Sequence, residues 1–409
     1  MSTKGNRMQL GIFGRRNAGK SSLINALTNQ NIALVSDVAG TTTDPVYKAM
    51  EILPIGSVSL IDTAGIDDSG ELGDMRVKKS RQVLNKCDFV LIVVSADLVL
   101  KNNLDFEKEF IADVRKRQIP VVLVINKIDL KNISNNQVDK LSASLSVPVS
   151  CVSAFKIQGI EELKQIIIKN NQRDWIAPTI LGDLITPGDV IFLVCPIDSA
   201  APKGRLILPQ VQTIRDILDN NSISVVVKDT ELAHAFKTLG NPKLVITDSQ
   251  EFQKVGQLTP KEVSMTSFSI LFARYKGDLE IFMRGINRIK NLKDGDKILM
   301  AEACTHHSQE DDIGKVKIPK WLRENTGKDL IFEHYAGSNF PEDMSKYSLA
   351  VHCGACMINR REMLYRLRYS EENSIPIVNY GMIIAYMHNI LDRALKPFPD
   401  AMSIYKKTT

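Results

Sequence analysis

Short apolar runs alternate with amphipathic stretches along most of this chain, and that alternation sets out its elements. The runs at 8–13, 58–61, 90–94 and 121–125 carry few polar residues and many branched ones. Runs of this kind predict strands covered on both faces of a parallel sheet. An amphipathic stretch at 22–27 follows the first run and predicts a helix. The alternation resumes at 190–195, 224–227 and 244–246, which read as strands, with helical spacing at 210–218 and 231–239. Together they predict a small parallel β-α-β-α-β unit. Farther on, 268–272, 297–303 and 347–351 read as strands, and 278–289 and 359–369 as helices. The stretch 175–188 carries two prolines and two glycines and reads as a linker. The expected organisation is α/β throughout, with mostly parallel sheets. It places a first domain at 1–172, a linker at 173–188, a small α/β domain at 189–262 and another at 263–409.

Length and composition agree with several domains. At 409 residues the chain exceeds one ordinary core. Hydrophobic residues at 44% and charged residues at 24% are those of a soluble globular protein. The net charge of +5 is small for this length, and the basic residues are scattered, so no nucleic-acid surface is expected. No apolar run reaches membrane-spanning length and the first residues run straight into a strand, so the expected location is the cytoplasm, away from membranes. The six cysteines do not make a disulfide framework. Cys87, Cys151 and Cys195 stand alone in apolar stretches and read as core residues, whereas Cys304, Cys353 and Cys356 keep company with histidines.

The first run opens onto Gly14-Arg-Arg-Asn-Ala-Gly19-Lys20-Ser21, a G-x-x-x-x-G-K-S loop in its strand–loop–helix context. Backbone N–H groups of such a loop, from Gly14 through Asn17, Ala18 and Gly19 to Ser22, close around phosphates at a helix N-terminus. Lys20 is placed for the β- and γ-phosphates and the Ser21 hydroxyl for Mg²⁺. The strand at 58–61 delivers Asp62-Thr-Ala-Gly65, with Asp62 on the Mg²⁺ side and the Gly65 N–H toward the γ-phosphate. The strand at 121–125 ends in Asn126-Lys127-Ile-Asp129. The Asp129 carboxylate can accept from guanine N1–H and the 2-amino group, a donor pair that adenine lacks. Ser153-Ala154-Phe155 fits the loop that meets guanine O6. These motifs, in order at the ends of successive strands, predict a P-loop GTPase on a doubly wound sheet.

Gly40-Thr-Thr42-Thr-Asp-Pro45 lies where a switch I segment belongs, and Thr42 is the expected residue closing on Mg²⁺. The region resembles the TrmE/Era branch of GTPases, in which this G-T-T-x-D pattern recurs. That resemblance implies K⁺ held by Asn17 and switch I carbonyls, where an arginine finger would otherwise neutralise charge. Ile66 follows Gly65 at a position where other GTPases carry a water-orienting glutamine, so slow intrinsic hydrolysis is expected. Arg15 and Arg16 are expected to face solvent.

The middle unit shows no catalytic constellation, and dimerisation is its expected role. Near the C-terminus, one strand ends in Cys304-Thr-His306-His307 and another in His352-Cys353-Gly-Ala-Cys356. Two ligand-rich strand ends on one sheet edge point to metal. On chemistry alone, a structural Zn²⁺ site and a [4Fe–4S] cluster with one labile iron both remain open.

A GTPase of this branch followed by Cys-x-His, a spacer of 45 residues (307–351) and His-Cys-x-x-Cys resembles the HydF family of [FeFe]-hydrogenase maturation GTPases. The resemblance covers essentially the whole chain, including the segment 311–319. It implies a [4Fe–4S] cluster on Cys304, Cys353 and Cys356, with His306, His352, Asp311 or an exogenous group at the fourth iron. It also implies a dimerising middle domain, and a homodimer or higher oligomer. The implied cargo is a diiron subcluster precursor, carried to apo-[FeFe]-hydrogenase in company with the two radical-SAM hydrogenase maturases. Lys315, Lys317, Arg360 and Arg361 either attract that anionic cargo or are solvated helix charges. A TrmE/Era-like GTPase for RNA modification or ribosome assembly, or a zinc-stabilised regulatory GTPase, is the alternative reading.

Overall fold

A computed structural model describes residues 4–29, 46–63, 65, 80, 82–171, 179–197, 203–304, 312–337 and 339–408. The chain divides into two units, Met1–Trp175 and Ile176–Thr409.

In the first unit, six strands are ordered β2-β3-β1-β4-β5-β6. They are β1 (Met8–Phe13), β2 (Val46–Ile52), β3 (Gly56–Asp62), β4 (Phe89–Ser95), β5 (Val121–Asn126) and β6 (Val149–Cys151). β2 runs antiparallel to β3 at the edge, and all other pairs are parallel. Because side chains alternate along a strand, each central strand feeds two cores. On β4, Phe89, Leu91 and Val93 enter one core with Leu23 and Leu27 of α1 (Lys20–Thr28). Val90, Ile92 and Val94 enter the other. The short α2 (Ala96–Leu100) and then α3 (Asp105–Lys116) follow β4, and Phe110, Ile111 and Val114 of α3 line that second core. Helices α4 (Asn135–Leu145) and α5 (Ile160–Asn170) complete the layers. The expected doubly wound sheet is present.

The second unit holds two four-stranded sheets, each parallel throughout. One is ordered β10-β9-β7-β8, from β7 (Val190–Val194), β8 (Ile223–Val227), β9 (Leu244–Thr247) and β10 (Ser264–Ser267). The helices α6 (Leu208–Asp219), α7 (Leu232–Leu239) and α8 (Phe252–Leu258) alternate with its strands. The other sheet is ordered β12-β11-β13-β14, from β11 (Lys297–Glu302), β12 (Ile331–Ala336), β13 (Leu349–His352) and β14 (Ile377–Asn379). One continuous apolar core, from Ile180 to Ala401, serves both sheets.

Three expectations change here. Residues 268–272 are not a strand but the start of α9 (Phe268–Lys276), capped by Ser267, whose Oγ accepts from the Ile270 N–H at 3.2 Å. Phe268, Ile270, Leu271 and Phe272 are all buried, so the run has no polar face to reveal a helical period. The strand β10 lies beyond the boundary placed at 262/263 and pairs with β9. The stretch read as a linker also contributes to the core. Ile180, Leu181 and Ile185 are buried, and Asp216 accepts from the backbone N–H groups of Ile180 and Leu181 at 3.2 and 2.9 Å. Among the described residues, no helix is long and apolar enough to cross a membrane.

Candidate nucleotide and metal sites

The loop between β1 and α1 needs backbone that only particular residues adopt. Gly14 has φ +150°, Asn17 +60° and Gly19 +93°. A Cβ on Gly14 would lie 2.2 Å from the Val93 carbonyl oxygen, and one on Gly19 2.2 Å from Asn126 Nδ2. The glycines are therefore required by close approach as well as by dihedral angle. Asn17 is exposed and Ala18 buried.

Lys20 Nζ donates to the carbonyls of Gly14 and Arg15 at 2.8 and 3.0 Å, which holds the ammonium over the loop mouth. Ser21 Oγ donates to Asp62 Oδ2 at 2.7 Å. This hydroxyl and carboxylate, from α1 and the end of β3, form a pair of hard oxygen donors suited to Mg²⁺. Burial pushes the Asp62 carboxyl above its usual pKa, against the Ser21 hydrogen bond and the charges of Lys20 and Lys48. Ser22 continues the first turn of α1, and Gly65 lies three residues past the end of β3. Thr42 and Ile66 fall outside the described residues.

At the base-binding end, Asn126 ties two loops together. Its Nδ2 donates to the Ala18 carbonyl at 3.0 Å and its Oδ1 accepts the Ala154 N–H at 3.0 Å. Lys127 has φ +64°, which turns the chain so that Asp129 follows. Asp129 Oδ1 accepts from Ser153 Oγ at 2.7 Å, so the two expected base contacts brace each other.

Arg15 departs from its expected exposure. Its Nε and Nη2 donate to Oε1 and Oε2 of Glu107 on α3, both at 2.9 Å, and the Glu107 carboxylate is wholly buried. This fork fastens the phosphate loop to α3. The signal in the sequence was Glu107 itself, an acid on the apolar face of an amphipathic helix. Arg15→Ala would strand that carboxylate, so we expect a loss of about 2 kcal/mol in this unit, less than for a fully buried pair. A lowered urea midpoint of the nucleotide unit checks it.

In the second unit, β11 and β13 are parallel neighbours with Ala301 opposite His352. Their ends therefore bring the two cysteine motifs side by side. The Ala303 N–H donates to Cys353 Sγ at 3.1 Å, a bond from one motif's strand to the other's thiol. The turn that follows passes through Ala355 at φ +57° and packs Gly354 against Ser269 and Phe272 of α9. Burial raises the Cys353 thiol, opposed by the N–H groups of Ala303 and Ala355. Burial and the neighbouring Cys353 push Cys356 up to about 12, opposed by Lys276. Lys276 is buried at the end of α9, and no motif in the sequence marks it. The donor set fits a soft metal centre: thiols, N–H donors aimed at sulfur and a cation nearby. Cys304, two residues past the end of β11, is half-buried. His306, His307 and Asp311 lie outside the described residues. Among the described residues, no three His, Cys, Asp or Glu groups gather as a metal site.

His352, one of the candidates for the fourth iron, has a partner at each ring nitrogen. It is fully buried, with Nδ1 at 2.8 Å from the Cys353 carbonyl oxygen and Nε2 at 3.1 Å from Arg366 Nη1. Burial and the Arg366 charge push it down to about 3, so the ring is neutral. Two of the cations considered for cargo are also otherwise engaged. Arg360 Nη1 donates to the Tyr275 carbonyl at 2.7 Å, at the end of α9, and Lys317 Nζ to Gln250 Oε1 at 2.6 Å.

The fold and the phosphate and base loops define the first unit as a P-loop GTPase domain, and the family model described as "50S ribosome-binding GTPase" matches residues 9–127. The models described as "Hydrogen maturase F dimerization domain" and "Hydrogen maturase F tetramerization domain" match residues 180–277 and 280–397. These two span more than half of the 409 residues, and the chain belongs to the hydrogen maturase F family. They divide after α9, and their oligomerisation domains agree with the expected self-association.

Among curated relatives, GTPase Der of Mycoplasmopsis agalactiae is 30% identical over 197 residues, 45% of this chain and 44% of that protein. The tRNA modification GTPase MnmE of Geobacillus thermodenitrificans is 29% identical over 251 residues, 60% and 49% of the two chains. The chain thus spans about half the length of these relatives. A solved structure of Aquifex aeolicus Era is 22% identical with a TM-score of 0.35, covering 54% of this chain and 94% of that one.

Proposed function

We propose that this chain is a GTP-hydrolysing scaffold that carries a [4Fe–4S] cluster on Cys304, Cys353 and Cys356. In this reading it receives a diiron subcluster precursor and delivers it to apo-[FeFe]-hydrogenase. The observation that carries the reading is the bond from the Ala303 N–H to Cys353 Sγ. It joins the two cysteine motifs within the region matched by the tetramerization model. When bound, the cluster supplies an iron site to which a second metal unit can attach. The protein's part is to hold three thiolates, surround them with N–H donors and exclude water. The radical-SAM maturases and the hydrogenase are the proposed partners, and the cytoplasm the proposed location. The test is to load the full chain, mix it with apo-hydrogenase and measure hydrogen evolution. Activation by the loaded wild type, absent with Cys304→Ala, supports the reading; equal activation by both contradicts it.

In the nucleotide unit, Lys20, Ser21, Thr42 and Asp62 are assigned to phosphate and Mg²⁺. Asn126, Lys127, Asp129, Ser153 and Ala154 are assigned to the base. Asn17 stands in a left-handed turn of the phosphate loop with its side chain exposed, which suits a carbonyl ligand for K⁺. Hydrolysis in KCl is expected to exceed that in NaCl by about tenfold or more, an effect the size of a partial charge neutralisation. Asn17→Ala is expected to equalise the two salts, and turnover assays in each salt check it. GTP in this reading gates partner exchange, and Ile66 keeps turnover slow.

A further inference from the structure

Among the described residues, Arg366 is one of the largest fully buried side chains, and its guanidinium lies beside the metal motif. It projects from α10 (Arg360–Glu372), whose N-terminus is capped by Asn359 three residues after Cys356. Nη1 meets His352 Nε2 at 3.1 Å, and Nη2 donates to the Gly337 carbonyl at 2.6 Å and to Glu362 Oε1 at 2.7 Å. The Phe340 ring lies under it, 5.1 Å from the guanidinium carbon. A guanidinium can only donate, so His352 Nε2 must accept. The ring proton therefore sits on Nδ1, and Nδ1 donates to the Cys353 carbonyl oxygen at 2.8 Å.

Cys353 is thereby held at three points. Its N–H donates to the Ala301 carbonyl at 3.0 Å, its Sγ accepts from the Ala303 N–H at 3.1 Å, and its carbonyl accepts from His352. Both nitrogens of His352 are committed. A ring turned to offer Nε2 to a metal would leave a buried guanidinium short of an acceptor, which is costly.

We propose that Arg366 is a positioning residue for the metal centre, which fixes His352 as a hydrogen-bond brace for Cys353 and removes it from the ligand set. The proposal rests on the cluster-binding reading above. It leaves the fourth iron position to a group other than His352.

The test uses the full chain, metal-free and then anaerobically reconstituted with iron and sulfide. The variants are Arg366→Lys, Arg366→Gln combined with Glu362→Gln, and His352→Gln. The double variant removes both buried charges, so no carboxylate is stranded. In the metal-free protein, ¹⁵N-histidine spectra should show His352 as the Nδ1–H tautomer, its signal assigned by its loss in His352→Gln. In the reconstituted wild type, pulsed EPR of the reduced cluster should show no directly bound imidazole nitrogen. The double variant should give an altered g tensor and a shifted midpoint potential at unchanged iron content, with Arg366→Lys closer to wild type. Three results overturn the proposal: an Nε2–H tautomer, a strong nitrogen coupling lost in His352→Gln, or a double variant with wild-type g tensor and potential. Iron content is read separately. Absence of iron from every chain despite the Nδ1–H tautomer contradicts the cluster reading, and the proposal falls with it.

Discussion

Asp129→Asn is expected to weaken GTP binding by about two to three decades and to improve binding of xanthosine triphosphate. The carboxylate is placed to accept two hydrogen bonds, from guanine N1–H and the 2-amino group. Each hydrogen bond to a charged group contributes about 1.5–3 kcal/mol, and tenfold in affinity is about 1.4 kcal/mol. An asparagine keeps one acceptor and turns a donor toward the 2-amino group, which repels it. Xanthine carries a carbonyl oxygen there and accepts that donor. The brace from Ser153 Oγ to Asp129 Oδ1 at 2.7 Å survives the change, because an amide oxygen can take the same bond. Titration calorimetry with both nucleotides checks the inversion. Equal affinity of wild type and variant for GTP would remove Asp129 from the base site.

The second large effect concerns sulfur. Cys353→Ala is expected to reduce cluster iron to about a tenth of wild type or less, since a cluster held by three thiolates does not persist on two. The same substitution also leaves the Ala303 N–H without its sulfur acceptor. A mutant of Cys195, which directly follows β7 of the other sheet in this unit, should keep its iron. Iron and acid-labile sulfide per chain, measured after identical reconstitution, separate the two cysteines.

Most of the nucleotide site was legible because its chemistry is written in contiguous residues. A G-x-x-x-x-G-K-S loop, an Asp-x-x-Gly and an Asn-Lys-x-Asp each carry their spacing with them. What the sequence concealed are pairs made across distance. Arg15 and Glu107 stand 92 positions apart, and neither neighbour sequence announces the other. His352 and Arg366 are 14 apart on different elements, and the motif invited a ligand where packing built a brace.

The strand expected at 268–272 failed for another reason. A helix with no exposed face has the composition of a buried strand and little periodicity to tell them apart. Among the strands not expected, β12 and β14 were hidden by opposite features. β12 is a half-exposed edge with Glu333 and His334 within it, whereas β14 is only three residues long. In the stretch 175–188, proline and glycine outweighed Ile180, Leu181 and Ile185, which the core nevertheless takes up.

The central claim is that Cys304, Cys353 and Cys356 hold a [4Fe–4S] cluster in a chain whose other end binds GTP. It is tested most directly by Mössbauer spectroscopy of the anaerobically reconstituted full chain, with iron, sulfide and zinc measured on the same sample. The account predicts a [4Fe–4S] quadrupole doublet, sulfide matching iron, and loss of both in Cys304→Ala. Stoichiometric zinc with no iron would contradict it.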